Sequence, residues 1–232
     1  MNSPDDNRLR MALEAIDAGA ETPEGFRPVG LATSRGKVKC RFYQVAGAGS
    51  AVIWIGGVGG DWDTPAQGLY PRLCRELQEE GIASLRVQFR HPTTLDESVA
   101  DVLAGLAFLQ TEGILVAGII GHSFGGAVAI QAAVASETVR SVVTLATQSS
   151  GADPVARLAP RCPILIVHGT ADRVLPPSCS EQVYAIAGGR KRLELIEGAD
   201  HGLDAAAGEV HRLVRDWIIV TLGAIPSQPI PP

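Results

Sequence analysis

The segment Ile119-Ile-Gly-His-Ser-Phe-Gly-Gly126 constrains the fold more than any other stretch of the sequence. An apolar β-branched run leads into it, and the alanine-rich Ala127–Ala135 leads out with strong helix character. A chain that passes from strand to helix within two residues forces the corner residue into a strained backbone conformation. Side chains at Gly121 and Gly125 would collide with the neighbouring strand and helix, so glycine stands at both. The turn exposes the Ser123 hydroxyl at the carboxyl end of a sheet. It also puts the Phe124 N–H at a helix N-terminus, where the helix dipole favours negative charge.

The rest of the chain alternates short apolar runs with amphipathic stretches, the pattern of an α/β fold with a mostly parallel sheet. Ala51–Ile55 is continuously apolar, as a strand covered on both faces should be. Further strands are expected at Ile82–Phe89, Val116–Gly121, Val139–Ala146, Ile164–His168 and Arg192–Glu197. Upstream, Arg27–Thr33 and Lys37–Val45 read as a hairpin around Ser34-Arg35-Gly36. Helical stripes run through Tyr70, Leu73, Cys74 and Leu77, through Val99, Val102, Leu103 and Leu106, and through Val210, Leu213, Val214, Trp217 and Ile218. Thr94-x-x-Glu97 has the form of a capping box before the second of these. The first ~20 residues read as a loose helix within an N-terminal extension, residues 1–25. The domain spans 26–222, and the tail 223–232 is proline-rich.

Composition narrows the classes. With 46% hydrophobic and 19% charged residues, the 232-residue chain can build one sizeable core and is not disordered. The formal net charge of −5 and the lack of a basic run argue against a nucleic-acid partner. Apolar stretches break well short of the ~18 residues a membrane span needs. The start MNSPDDNRLR carries two acids and no apolar core, so a cytoplasmic protein is expected rather than a secreted one. Cys40, Cys74, Cys162 and Cys179 form no C-x-x-C pair and read as reduced thiols. No H-E-x-x-H or clustered ligand set is present, so neither metal nor organic cofactor is expected.

A serine hydroxyl is a poor nucleophile until a base takes its proton, and the base needs a carboxylate to hold its tautomer. Of five histidines, His122 sits in the turn itself with its ring expected to point away, and His91 precedes a proline. His211 lies on the solvent side of the last helix, and His168 ends a strand and braces the loop that follows. That leaves His201, in Glu197-Gly-Ala-Asp-His-Gly-Leu203, as the base. Asp172, four residues past the strand ending at His168, is the first candidate for the acid, with Asp153 its main rival. Asp200 is too close in sequence to His201 to face its ring, and Asp204 suits a cap on the last helix. Gly56-Gly-Val-Gly-Gly60 lets backbone approach a substrate, but it lacks the third glycine of a dinucleotide loop and is followed by Asp61-Trp-Asp63.

With Gly-His-Ser-Phe-Gly-Gly at 121–126, His-Gly-Thr-Ala-Asp at 168–172 and Gly-Ala-Asp-His-Gly at 198–202, residues 26–222 resemble the α/β-hydrolase superfamily. The resemblance is to its small lidless serine hydrolases, dienelactone-hydrolase-like proteins and carboxylesterases. It implies an eight-stranded sheet with only the second strand antiparallel and helices on both faces. It also implies Ser123 as nucleophile, His201 as base, Asp172 as its orienter, and the N–H groups of Phe124 and Val58 as oxyanion hole. Gly57 is the other candidate in that loop, because Gly56 stands where the family often has histidine. Dienelactone hydrolases proper carry cysteine where this chain has Ser123. The ~17 residues before Ile164 leave room for one short helix, at Asp153–Leu158, and none for a lid. The function this implies is hydrolysis of a small or medium carboxylic ester through an acyl-enzyme. Thioester, lactone or peptide cleavage and a non-catalytic ligand-binding homologue are the alternatives. Trp62, Phe124, Arg90 and His91 are candidates either to line the pocket or to serve as framework.

Overall fold

Uninterrupted apolar runs can be buried only where both faces of a sheet are covered. In the computed structural model, which describes residues 8–223, they occupy the sheet's middle. The middle strands are β4 (Ser50–Ile55), β5 (Ala83–Gln88), β6 (Val116–His122), β7 (Val139–Leu145) and β8 (Ile164–Gly169); Ser84 and Arg86 interrupt the apolar run of β5, and Arg140, Ser141 and Thr144 that of β7. The hairpin strands β2 (Arg27–Thr33) and β3 (Gly36–Tyr43) continue the sheet on one side, and β9 (Lys191–Ile196) closes the other. Residues 1–7 and 224–232, with the proline-rich segment, lie outside the described residues.

A further strand, β1 (Leu13–Ala18), replaces the loose helix expected near the N-terminus. It pairs antiparallel with β2 and makes the sheet nine-stranded, in the order β1-β2-β3-β5-β4-β6-β7-β8-β9. Within β2–β9 only β3 points opposite to the other strands, so the eight-stranded arrangement is intact and β1 is added at its edge.

Five helices cover the two faces: α1 (Pro65–Glu79), α2 (Leu95–Thr111), α3 (Phe124–Ala135), α4 (Ser178–Ile186) and α5 (Ala207–Leu222). One core joins α2, α3 and α4 to the sheet through Val99, Val128, Ile130 and Val183, against Ile53, Leu85 and Ile119. The other joins α1 and α5 through Leu73, Leu77, Val214 and Ile218, against Val52, Trp54 and Val143. Helix α3 is apolar nearly all round and buried accordingly, which makes it the central helix rather than a surface one. Truncating a wholly buried side chain such as Ile53 to alanine costs about 2–5 kcal/mol.

Two local expectations change. Thr94 stands at the N-cap of α2 but makes no side-chain cap bond; Glu97 pairs instead with Arg90 and Arg35. His211 does not face solvent alone: its Nε2 lies 2.8 Å from Glu76 Oε2 on α1. Between β7 and β8 the chain forms only a 3-10 turn at Asp153–Leu158, so among the described residues no lid is inserted there over the carboxyl edge. The four cysteines are free, three of them buried. No helix of the described residues is long and apolar enough to cross a membrane.

Candidate active site

Parallel strands deliver their following loops to one edge of the sheet. The loops after β4, β6, β8 and β9 meet there. The turn after β6 is as tight as its glycines require. A Cβ on Gly121 would stand 2.0 Å from the Gly125 carbonyl oxygen, and one on Gly125 would stand 2.3 Å from that of Gly56. Ser123 is held at φ +56°, a conformation that L residues adopt only when surrounding structure imposes it. Here that is done by Ser123 N–H donating to Leu145 O at 2.8 Å and by Gly126 N–H donating to Ser123 O at 3.0 Å.

The structure brings Ser123, His201 and Asp172 together. Ser123 Oγ lies 3.1 Å from His201 Nε2, and His201 Nδ1 lies 2.7 Å from Asp172 Oδ2. A carboxylate accepts only, so Nδ1 donates and Nε2 is left to accept from the serine hydroxyl. The other carboxylate oxygen, Oδ1, accepts from Val174 N–H at 2.8 Å and Leu175 N–H at 2.9 Å. Burial works to raise the pKa of Asp172. The hydrogen bonds from His201, Leu175 and Val174 outweigh it and hold the carboxyl below its ordinary value. Asp153, the rival acid, is exposed at the start of the 3-10 turn.

His168 braces the acid loop. Its Nε2 donates to Leu175 O at 3.0 Å and lies 3.2 Å from Asp172 Oδ2, while Nδ1 accepts from Ser180 Oγ at 2.6 Å. The base loop is anchored just as closely. Ala171 N–H donates to Ala199 O at 3.0 Å, and Ala66 N–H donates to Gly202 O at 2.7 Å. Ala66, Gln67 and Gly68 form a left-handed turn at the start of α1, with φ of 51°, 53° and 84°. Asp204 does not cap α5 as expected. Its Oδ1 accepts from Gln67 N–H at 2.8 Å, so it secures that turn against the base loop. Because the regular part of α1 begins after the turn, Pro71 falls in its first turn, where a missing N–H costs nothing.

Phe124 is the first residue of α3, so its N–H is among those a helix leaves without an internal acceptor. Its ring packs edge-on to Phe89, at 5.9 Å. In the loop after β4, Gly57 lies against the serine: a Cβ there would stand 3.3 Å from Ser123 Cβ and 3.7 Å from Oγ. Val58 follows and is 53% exposed. Trp62 serves as framework, with the Arg41 guanidinium 4.2 Å from its ring centre and its carbonyl accepting from Arg86 Nη2 at 2.6 Å. Arg90 is framework too, held by buried Asp101 and by Glu97. An open cleft of about 410 Å³ is lined by Ala171, Arg173, Val174, Asp200 and His201. Sequence reasoning missed His122, which turns toward the base loop and places Nε2 2.9 Å from His201 O. Among the described residues no group of three or more His, Cys, Asp or Glu side chains is arranged to hold a metal ion.

The model of the dienelactone hydrolase family matches residues 66–212, more than half of the chain. Uncharacterized protein YfhR of Salmonella typhi is 43% identical over 65 residues, 28% of this chain and 22% of YfhR. The Escherichia coli K12 YfhR is 35% identical over 98 residues, 36% of this chain and 34% of YfhR. The chain therefore matches about a third or less of the length of these curated relatives. Among solved structures, the dienelactone hydrolase of Anabaena variabilis superposes with a TM-score of 0.70 at 20% identity, over 84% of this chain and 99% of that one. XC6422 of Xanthomonas campestris, an α/β serine hydrolase without a lid, gives 0.70 at 18% identity, over 90% and 100%. Est1E of Butyrivibrio proteoclasticus gives 0.68 at 17%, over 79% and 94%. At these identities the likeness is one of fold.

Proposed function

The chain belongs to the dienelactone hydrolase family, and we propose that it is a serine hydrolase that cleaves a small or medium carboxylic ester through an acyl-enzyme on Ser123. One observation carries this reading: Ser123 Oγ, His201 and Asp172 form an unbroken line of hydrogen bonds at 3.1 and 2.7 Å. Ser123 Oγ attacks the ester carbonyl as its proton passes to His201 Nε2. The N–H groups of Phe124 and Val58 hold the oxyanion, helped by the N-terminus of α3. Collapse breaks the carbon–oxygen bond to the alcohol, which leaves with the proton from His201. Water, deprotonated by the same imidazole, then releases the acid and restores the serine. Asp172 keeps Nδ1 protonated throughout and stabilises the imidazolium.

The absence of a lid supports small or exposed substrates, since nothing encloses a long acyl chain. The test is labelling by a fluorophosphonate together with turnover of a panel of p-nitrophenyl esters, a thioester and a lactone, by the wild type and by Ser123→Ala. The reading requires labelling and ester turnover in the wild type and neither in the variant. Turnover of the thioester or lactone alone would keep the serine mechanism and change the substrate class.

A further inference from the structure

His122 takes no part in the steps above, yet it lies between the nucleophilic turn and the base loop. Its Nε2 is 2.9 Å from the main-chain oxygen of His201. A carbonyl only accepts, so Nε2 carries the hydrogen and donates. The neutral ring then has a bare lone pair at Nδ1. That atom is buried and has no hydrogen-bond partner. It faces the loop after β4, where a Cβ on Gly57 would stand 3.7 Å from it. The residue is 6% exposed, and its ring centre is 4.9 Å from that of His201. Burial pushes its pKa below that of a free imidazole, against the pull of the bond to His201 O.

A buried acceptor without a partner is destabilising. If His122 only filled space, leucine or methionine would do so without that cost. The compensating feature is the bond to His201. Gly121 faces α3, so alternation along β6 turns His122 to the opposite side of the sheet, toward the loop after β9. His122 and Ser123 are consecutive residues of one rigid corner. Together they hold His201 twice, by its main-chain oxygen and by its imidazole Nε2. Other anchors of the base loop tie it to the acid loop, through Ala171 and Thr170, and to α1, through Ala66 and Gln67, and none of these refers it to the serine.

We propose that His122 is the positioning residue of the base: its Nε2–H holds the His201 main chain at a fixed place relative to Ser123 and so sets the reach from Oγ to His201 Nε2. This rests on the serine-hydrolase reading. Glutamine places its amide nitrogen where Nε2 stands, whereas the asparagine amide nitrogen reaches only the position of Nδ1. The experiment is steady-state kinetics on p-nitrophenyl acetate, with fluorophosphonate labelling rates, for His122→Leu, His122→Asn and His122→Gln. Leucine and asparagine should lower kcat and the labelling rate about 10–100-fold, the scale of a small misplacement of a catalytic group. KM should stay within about twofold, because the substrate cleft is untouched. Glutamine should recover most of the loss. If the leucine variant fails to fold, the asparagine–glutamine pair still decides. Asparagine and glutamine variants of equal activity, whether both high or both low, overturn the proposal. The control is Ser123→Ala: residual turnover there sinks the underlying reading, while an inactive Ser123→Ala beside a fully active His122→Asn sinks the positioning role alone.

Discussion

The loops after β8 and after β4 approach Ser123 from opposite sides and are held in opposite ways. The acid loop is tied by short bonds at every turn. Asp172 accepts from Val174, Leu175 and His201 at 2.7–2.9 Å, and His168 closes the loop from beneath. The Gly56–Gly60 stretch has one long internal bond, Gly60 N–H to Gly57 O at 3.4 Å, and is fastened mainly at its far end. There Trp62 rests against Arg41, and its carbonyl takes the Arg86 guanidinium. Charge that must stand ready before the reaction is fixed by many short hydrogen bonds. The glycine loop carries fewer and longer bonds and is anchored at a distance. The two sides should therefore respond differently to damage.

The largest effect should come from the acid side. Asp172→Asn should lower kcat by about 10⁴-fold, as loss of the orienting carboxylate does in serine proteases, because His201 can then adopt the wrong tautomer. Asp153→Asn, on an exposed turn, should leave activity near wild type; the reverse ranking would move the acid and break the comparison. Next comes the near end of the other loop. A Cβ at Gly57 would crowd Ser123 Cβ at 3.3 Å, so Gly57→Ala should push the loop away and lower kcat about 10–100-fold with little change in Tm. Unchanged kinetics would show that this loop does not contact the reacting carbonyl. Trp62→Ala works from the far end and should cost only about tenfold, read as a KM that varies more across the ester panel than in the wild type. A loss as large as that of Asp172→Asn would mean the loop is as rigidly required as the acid.

The smallest effect is on stability. His122 is buried and its pKa is lowered, so the folded chain stays neutral at this site while the unfolded chain takes up a proton below about pH 6.5. Stability from this residue is complete above that pH and falls as the pH drops. The Tm of the wild type should fall more between pH 7.5 and 5.5 than that of His122→Gln. Parallel Tm curves would show that burial at His122 does not perturb its titration.

The same contrast marks what was legible in the sequence. Strands such as β4 and β8 announce themselves through the apolar runs Ala51–Ile55 and Ile164–Val167 because both faces are buried, and the corner at Ser123 does so through glycines that no other residue can replace. By contrast, Leu13-Glu-Ala-Ile-Asp-Ala18 carries helix-favouring residues, so its composition points to helix where the structure has the mostly exposed strand β1. It is a strand only because β2 offers it an edge. The capping role of Glu97 and the solvent role of His211 failed for a similar reason: Arg90 and Glu76, distant in sequence, claimed those side chains first. The left-handed turn at Ala66–Gly68 has no local signature beyond one glycine, since Gly202 and Asp204 impose it from the base loop. The role of His122 depends on the path of residues 199–204, since its partner is a main-chain oxygen 79 residues away.

The most direct test of the account is mass spectrometry of the protein quenched in acid during turnover of p-nitrophenyl acetate. An acetyl group on the peptide containing Ser123, absent from Ser123→Ala, is the expected result. Ester turnover with no adduct in either protein, at undiminished rate in Ser123→Ala, would contradict it.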